Sequence, residues 1–336
     1  MTVRMAINGF GRIGRNMYRI IEKKNPDVEV VAINDLADKE NLAYLFKYDS
    51  VHGRFEGEVE ATEKGLKIND KEIEVLSVKD PADLPWSEMN VDIVVEATGV
   101  FRYREQLEKH LEAGAKKVAL TVPAKDKVDK TIVFAVNDEE LTKDDKIVSN
   151  ASCTTNCLAP MAKVLNDNFG IEKGIITTIH AYTSSQAILD LPASKTRRGR
   201  AAAENLIPTT TGAAIATTKV LPELKGKIDG MAVRVPLPDG AIVDGVFNLE
   251  KDVTVEDVNN AFKEAAQSNM QGILGYTDEE IVSRDILGLD YSSYIDGQST
   301  MVVADNQVKV LSWYDNEWGY SNRVLELVIE MHEIGY

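Results

Sequence analysis

Six residues near the start restrict the fold more than any others: Gly9-Phe10-Gly11-Arg12-Ile13-Gly14, a G-x-G-x-x-G run. Val3-Arg4-Met5-Ala6-Ile7 before it reads as a strand, and Arg12 to Lys24 after it has the apolar spacing of a helix. A second strand, Val28 to Ile33, leads to Asp35, 21 residues beyond Gly14 (35 − 14). Strand, glycine turn, helix and strand with a terminal carboxylate form the opening of a dinucleotide-binding unit. Glycines at Gly9, Gly11 and Gly14 permit a tight turn and let backbone amides approach a pyrophosphate at the positive end of the helix. The Asp35 carboxylate would hold a ribose 2′-hydroxyl. A 2′-phosphate about 4 Å from that carboxylate would be repelled by up to about 4 kcal/mol at an effective dielectric near 20. Even half of that favours NAD over NADP more than tenfold, so NAD is the expected cofactor.

Beyond the motif the first half of the chain alternates strands and helices. Val91 to Val95, Lys117 to Leu120 and Thr131 to Val136 read as further strands, and Gly53 to Leu76 as an antiparallel hairpin insert. The second half changes character. After a helix near Thr154 to Asp167 come long alternating runs at Gly174 to Ala181, Gly230 to Val235, Ala241 to Leu249 and Val308 to Tyr314, with a helix at Val255 to Ser268. The expected class is α/β: a Rossmann-type parallel-sheet domain over residues 1–152, plus an α+β catalytic domain with a mostly antiparallel sheet over 153–316. A final helix, near Ser321 to His332 within 317–336, is expected to pack back on the first domain.

Composition removes several function classes. The net charge of −16 disfavours general binding to nucleic acid or anionic membrane. No apolar run approaches the length of a membrane span, and the first apolar stretch runs straight into the glycine loop, leaving no room for a signal peptide. Two cysteines are too few for a disulfide framework and fit a reducing, cytoplasmic setting. Against this acidic background, Lys195, Arg197, Arg198 and Arg200 cluster inside an irregular stretch from Tyr182 to Pro208. A long irregular segment in a compact enzyme is usually functional.

Cys153, in Ser152-Cys153-Thr154-Thr155-Asn156-Cys157, sits where a strand ending near Ser149 meets a helix. A helix N-terminus stabilises a thiolate, and its free amides can stabilise an oxyanion. Cys157, four residues on, is expected to be buried filling. The C-x₃-C spacing with no nearby histidine is poor for zinc, so no metal is expected. Of four histidines only His180, near the end of a strand that enters the basic stretch, has a context for chemistry. His52, His110 and His332 lie in polar surroundings and read as surface groups.

Taken together these motifs resemble the phosphorylating glyceraldehyde-3-phosphate dehydrogenases of the bacterial and eukaryotic type along essentially the whole chain. The resemblance rests on residues 7–15, 96–99, 149–156, 180–183, 208–214, 234–236 and 313–317, which occur in family order. It implies Cys153 as nucleophile and His180 as base, with a hemithioacetal and then a thioester cleaved by inorganic phosphate. It implies a site for the substrate phosphate of glyceraldehyde 3-phosphate at Thr183, Arg234 and part of the loop. A second site, for inorganic phosphate, falls on Ser152, Thr154, Arg198, Thr211 and Gly212. Cofactor contacts fall on Gly9, Gly11, Arg12, Ile13, Gly14, Asp35, Lys79, Thr121 and Asn316, and Leu191-Pro192 matches the NAD-preferring form. A homotetramer is the family expectation. Departures occur at Ser185, where a carboxylate is usual, and in the more basic run from Lys195 to Gly199. The alternatives are a sister dehydrogenase acting on erythrose 4-phosphate, and a non-catalytic dinucleotide-binding redox sensor.

Overall fold

A computed structural model describes residues 2–336. The chain divides into two compact units, Met1–Ile132 with Glu139–Ala151 and Ser321–Tyr336, and Val133–Asp138 with Ser152–Tyr320.

The main sheet of the first unit has nine strands: β1 (Val3–Asn8), β2 (Val28–Asn34), β3 (Val59–Ala61), β4 (Gly65–Ile68), β5 (Lys71–Leu76), β6 (Ile93–Glu96), β7 (Lys117–Leu120), β8 (Lys130–Thr131) and β9 (Ile147–Ser149); the two-residue runs Tyr48–Asp49 and Gly53–Arg54 pair separately. Their order across the sheet is β8-β9-β7-β6-β1-β2-β5-β4-β3. Every neighbouring pair from β8 to β5 is parallel, whereas β3, β4 and β5 form the antiparallel insert. Helices α1 (Arg12–Lys24), α2 (Lys39–Lys47) and α3 (Arg104–Glu112) connect strands of this sheet. In β6 the consecutive Ile93, Val94 and Val95 are all fully buried, because a parallel sheet in an α/β layer is covered on both sides. Ala6, Ala32, Val94, Trp86 and Val91 pack into one core cluster, and Leu107, Val118, Leu120 and Ile147 into another. The chain leaves β1 toward β2 on one side and, later, occupies β6 on the other, so the strand order reverses between β1 and β6. Such a reversal opens a crevice at the carboxyl ends of the two strands, where α/β proteins take their ligands.

The second unit carries seven strands: β10 (Ile171–Ala181), β11 (Ile207–Thr210), β12 (Ile228–Val235), β13 (Ala241–Leu249), β14 (Leu274–Thr277), β15 (Ser293–Val303) and β16 (Gln307–Tyr314). The order is β11-β12-β10-β13-β16-β15-β14, with four antiparallel pairs and two parallel ones. Helix α4 (Cys153–Phe169) packs against β13, β15 and β16, flanked by α5 (Ala213–Val220) and α6 (Val255–Gln267). Helix α7 (Trp318–Glu333) completes the elements.

Two readings of the sequence are corrected. The run Thr131 to Val136 does not continue as a strand: β8 stops at Thr131, and Asn137 Oδ1 accepts the Val133 N–H at 2.9 Å, closing a turn with Ala135 at φ 60°. The short β9 at Ile147–Ser149 pairs with β7 instead. His110 is not a surface group. It lies on the inner face of α3 with Leu107 and has no exposed surface, because its polar sequence neighbours point outward at helical spacing. His52 is half-buried as well, and its backbone N–H donates to Asp49.

Candidate active site

In the first unit a cavity of about 500 Å³ opens at the reversal point, lined by residues that include Gly9, Gly11, Asp35, Lys79, Thr98 and Val100. Gly9 adopts φ +96°, and a Cβ there would stand 2.7 Å from the Thr98 nitrogen and 2.8 Å from the Ala97 carbonyl carbon. A Cβ on Gly14 would stand 2.5 Å from the Gly9 oxygen, so this glycine lets α1 pack on the turn. Gly11 meets nothing within 4 Å and leaves the cavity side open to a ligand. Asp35 Oδ2 accepts the Phe10 N–H at 2.8 Å and Oδ1 accepts from Ala37 N at 3.0 Å. The same carboxylate therefore shapes the glycine turn and faces the cavity.

The other expected cofactor positions do not line this cavity. Arg12, in the first turn of α1 beside the half-buried Ile13, forms an ion pair with Asp49. Burial raises the Asp49 carboxyl, but the Arg12 guanidinium and the His52 and Val51 amides outweigh it and hold the group down at about 2. Thr121 is buried and its Oγ1 donates to the Glu96 carbonyl at 3.0 Å. Asn316 belongs to the second unit. Its side chain is 6% exposed, and its Oδ1 has no hydrogen-bond partner among the described residues. A buried amide oxygen left in this state is an acceptor awaiting a donor.

The second unit assembles the thiol site. Ser152 caps α4, its Oγ accepting from Thr155 N at 3.1 Å, and this sets Cys153 at the first helical position. Cys153 Sγ lies 3.5 Å from His180 Nε2, which arrives at the end of β10. His180 Nδ1 is 2.7 Å from the Ala181 oxygen, and Arg234 Nη1, from the adjacent β12, is 2.7 Å from that oxygen and 2.8 Å from Nδ1. The Ala181 carbonyl can only accept, so it takes Nδ1–H as well as a guanidinium N–H, and Nε2 keeps its lone pair toward the sulfur. Tyr314 closes the floor. Its ring meets His180 edge-on, and its hydroxyl bonds Thr154 Oγ1 at 2.9 Å and Thr178 Oγ1 at 2.8 Å.

The electrostatics of the site favour neutral partners. Burial pushes the Cys153 thiol up to about 11, opposed by the Arg234 charge and by the Thr154 N–H facing the sulfur. Burial, then the charges of Arg234 and Arg198, push His180 down to about 3, against the pull of the Ala181 carbonyl. Cys157 is fully buried, with its Sγ 3.7 Å from the Ser312 oxygen, as expected of filling.

The anion-binding candidates divide by what their side chains are doing. Arg198 Nε donates to Thr209 Oγ1 at 3.0 Å and Nη2 to the Thr210 oxygen at 3.2 Å, which holds the guanidinium against β11. Thr211 Oγ1 accepts from Ala213 N at 3.2 Å, and Gly212 caps α5 with open space where a Cβ would stand. Thr183 Oγ1 is bonded to Ser185 Oγ at 2.9 Å. Thr154 differs: its hydroxyl bonds Tyr314, and both that hydroxyl and the backbone N–H of Thr154 lie close enough to the Cys153 sulfur to lower its pKa. Tyr314 itself was not singled out by its chemistry in the sequence, because the hydroxyls it bonds, on Thr154 and Thr178, lie 160 and 136 residues away.

A parallel-sheet dinucleotide unit, joined in one chain to a cysteine–histidine pair at a helix N-terminus, defines a thiol-dependent, dinucleotide-linked oxidoreductase. Residues 3–104 match the family model for the NAD binding domain of glyceraldehyde 3-phosphate dehydrogenase, and residues 152–316 match the model for its C-terminal domain. The chain is 58% identical over 328 residues to the glyceraldehyde-3-phosphate dehydrogenase of Geobacillus stearothermophilus, covering 97% of each chain. It is 53% identical over 330 residues to glyceraldehyde-3-phosphate dehydrogenase 2 of Streptomyces avermitilis, covering 98% of each, and 52% identical to the Borreliella burgdorferi enzyme. The chain belongs to the glyceraldehyde-3-phosphate dehydrogenase family, and its cofactor is NAD.

Proposed function

We propose that the chain converts glyceraldehyde 3-phosphate, inorganic phosphate and NAD to 1,3-bisphosphoglycerate in the glycolytic and gluconeogenic sequence. The observation that carries this reading is the 3.5 Å approach of Cys153 Sγ to His180 Nε2 with Arg234 and Arg198 beside it. His180 accepts the thiol proton as the sulfur adds to the aldehyde carbon, then returns that proton to the new alkoxide, giving a hemithioacetal whose oxygen the Cys153 and Thr154 amides can meet. Bound NAD supplies the hydride acceptor. His180 takes the hydroxyl proton as the carbon is oxidised to a thioester on Cys153, and phosphate oxygen then attacks that carbon and releases the thiolate.

The two arginines tie substrate binding to this chemistry. Their charges depress His180 in the free site, so a phosphate dianion bound to them would offset that field and raise the imidazole's basicity when it is needed. Arg234 and Thr183 take the triose phosphate, while Arg198, Thr211, Gly212, Ser152 and the Thr154 backbone take inorganic phosphate. On the cofactor side, Gly9, Gly11, Asp35 and Lys79 hold the dinucleotide, with Arg12, Ile13, Gly14 and Thr121 supporting it and the Asn316 amide oxygen receiving the carboxamide N–H. Domains at 1–152 and 153–316, with 317–336 returning to the first, match this split of roles.

The enzyme is read as cytoplasmic and as a homotetramer; no helix among the described residues is long and apolar enough to cross a membrane. Exposed apolar side chains on the second unit's sheet, Ile175 on β10, Met231 on β12 and Met301 on β15, favour self-association. Steady-state rates with glyceraldehyde 3-phosphate or erythrose 4-phosphate, NAD or NADP, and with or without phosphate test the reading. Turnover that ignores phosphate, or a preference for erythrose 4-phosphate, refutes it.

A further inference from the structure

Beneath the dinucleotide cavity lies a fully oriented chain of buried polar groups that the reaction above does not use. We propose that Glu96, aimed by His110 and Trp86, is a positioning residue for NAD: it fixes the height of the glycine turn at the cavity mouth. The proposal rests on the reading of the first unit as the NAD site.

Each link is polarised from an end that cannot turn round. At one end Val78 sets Asn34: its N–H donates to Asn34 Oδ1 at 2.8 Å and its carbonyl accepts from Nδ2 at 2.9 Å. Asn34 Nδ2 also donates to Asn8 Oδ1 at 2.7 Å, so Asn8 must present Nδ2 to Glu96 Oε2, at 2.6 Å. At the other end Trp86 Nε1, a donor only, meets His110 Nδ1 at 3.1 Å. His110 therefore carries its proton on Nε2 and donates it to Glu96 Oε2 at 3.1 Å. Glu96 Oε1 accepts the Thr98 N–H at 2.9 Å and the Thr98 hydroxyl as well.

The mechanical consequence falls on Gly9. Its α-carbon rests on the Ala97–Thr98 peptide closely enough to exclude any Cβ, and Glu96 pins the N–H of that peptide. Glu96 also holds the side chain of Asn8, the residue immediately before Gly9. One carboxylate thus governs both the bed on which the turn lies and the strand end from which it springs, on the two strands flanking the reversal point. Asn8, Asn34, Ala97 and Thr98 all line the cavity. An amide in place of the carboxylate must aim its NH₂ at a donor in either orientation, toward Asn8 and His110 or toward the Thr98 N–H.

The test measures NAD binding to the unreacted full-length protein by fluorescence, together with the alkylation rate of Cys153 without NAD. Glu96→Gln is expected to weaken NAD binding about tenfold, with alkylation of Cys153 and kcat at saturating NAD within about threefold of native. Adding Trp86→Phe removes the donor that fixes the His110 tautomer, so His110 can accept from the new amide. The double variant is expected to recover at least about threefold of the lost affinity, which loss of packing alone would not do. His110→Gln can reproduce both bonds and is expected to bind NAD within about threefold of native; it carries the test should Glu96→Gln fail to fold. Native affinity in Glu96→Gln, a double variant no better than the single, or a tenfold loss in His110→Gln overturns the proposal. A native protein that binds NAD yet does not oxidise glyceraldehyde 3-phosphate would sink the proposed reaction and leave this inference standing.

Discussion

Replacing Asp239 by Asn should stabilise the protein above neutral pH. Asp239 and Asp315 are both buried, at 3% and 2% exposure, and each carboxyl lies in the field of the other. Asp315 has its oxygens committed to other donors: Oδ2 accepts from Gly288 N at 2.8 Å, and Oδ1 from Glu317 N at 2.9 Å and Trp318 N at 2.6 Å. Burial, then the charges of Asp315 and Glu317, push Asp239 far above its ordinary 3.8, so it keeps its proton at pH 7. The sign follows from linkage. Below pH 4 the folded and unfolded chains both carry this proton and it has no effect. Above pH 4 the unfolded chain releases it and the folded chain does not, so stability falls by about 1.4 kcal/mol per pH unit until the folded group ionises. At pH 7 the loss has a ceiling of about 4 kcal/mol. Asn keeps an acceptor for the Gly240 N–H, which Asp239 Oδ1 now takes at 2.9 Å, and places an uncharged NH₂ where the protonated carboxyl stood. The weaker donor returns about 1–2 kcal/mol of the gain, leaving a net of roughly 2–3 kcal/mol at pH 7. Urea unfolding of the native chain and of Asp239→Asn at pH 4, 6 and 8 reads this as a midpoint shift of roughly 0.5–1 M at the higher pH. The reasoning fails if the variant is no more stable at pH 8, or if the difference is the same at pH 4.

Cys153→Ser should abolish turnover while NAD binding persists; more than about a tenth of native activity would exclude the thiol as nucleophile. Asp35→Ala should raise the NADP-to-NAD ratio of kcat/KM, though removal of the Phe10 N–H acceptor also loosens the turn, so NAD affinity should fall too. An unchanged ratio refutes the charge argument. Arg198→Ala should raise the KM for inorganic phosphate about tenfold. Arg234→Ala should impair triose phosphate use and also lower kcat, because its guanidinium shares the Ala181 carbonyl with His180; equal losses for both substrates in both variants would reject two distinct anion sites.

Features carried by local spacing were legible in the sequence. The glycine turn, the first helix and Asp35 all fall within the first 35 residues, and each has a steric or charge reason that needs no partner from afar. The capped Cys153 was legible for the same reason, since Ser152 and the helix start are its neighbours. What escaped depends on long-range meetings. Glu96 reads as a stray carboxylate at the end of an apolar strand until Asn8, 88 residues earlier, and His110 are brought to it. His110 looked solvated because Glu108, Lys109 and Glu112 lie within two residues of it, although the helical period turns it inward. The inward bond of the Thr154 hydroxyl needed Tyr314, 160 residues on. The expected strand at Thr131 to Val136 failed to a single side chain, since β-propensity counts branched residues and does not see Asn137 capping a turn.

The first unit draws its final piece, residues 321–336, from the far side of the second in sequence. During synthesis, Ser321 leaves the ribosome 170 residues after Ala151 (321 − 151), an interval of roughly 10–30 s at ordinary elongation rates. Throughout that time the nascent sheet lacks the helix whose Met331 carbonyl receives the buried Lys117 ammonium at 3.2 Å, and the aromatic ring of Tyr336 that covers Lys116 and Lys117. The second unit, continuous from Ser152 to Tyr320 apart from one short segment, emerges in full before that piece does. The nucleotide-binding half, although made first, is thus the last to be completed, and Lys117 waits for its Met331 acceptor until synthesis is nearly over.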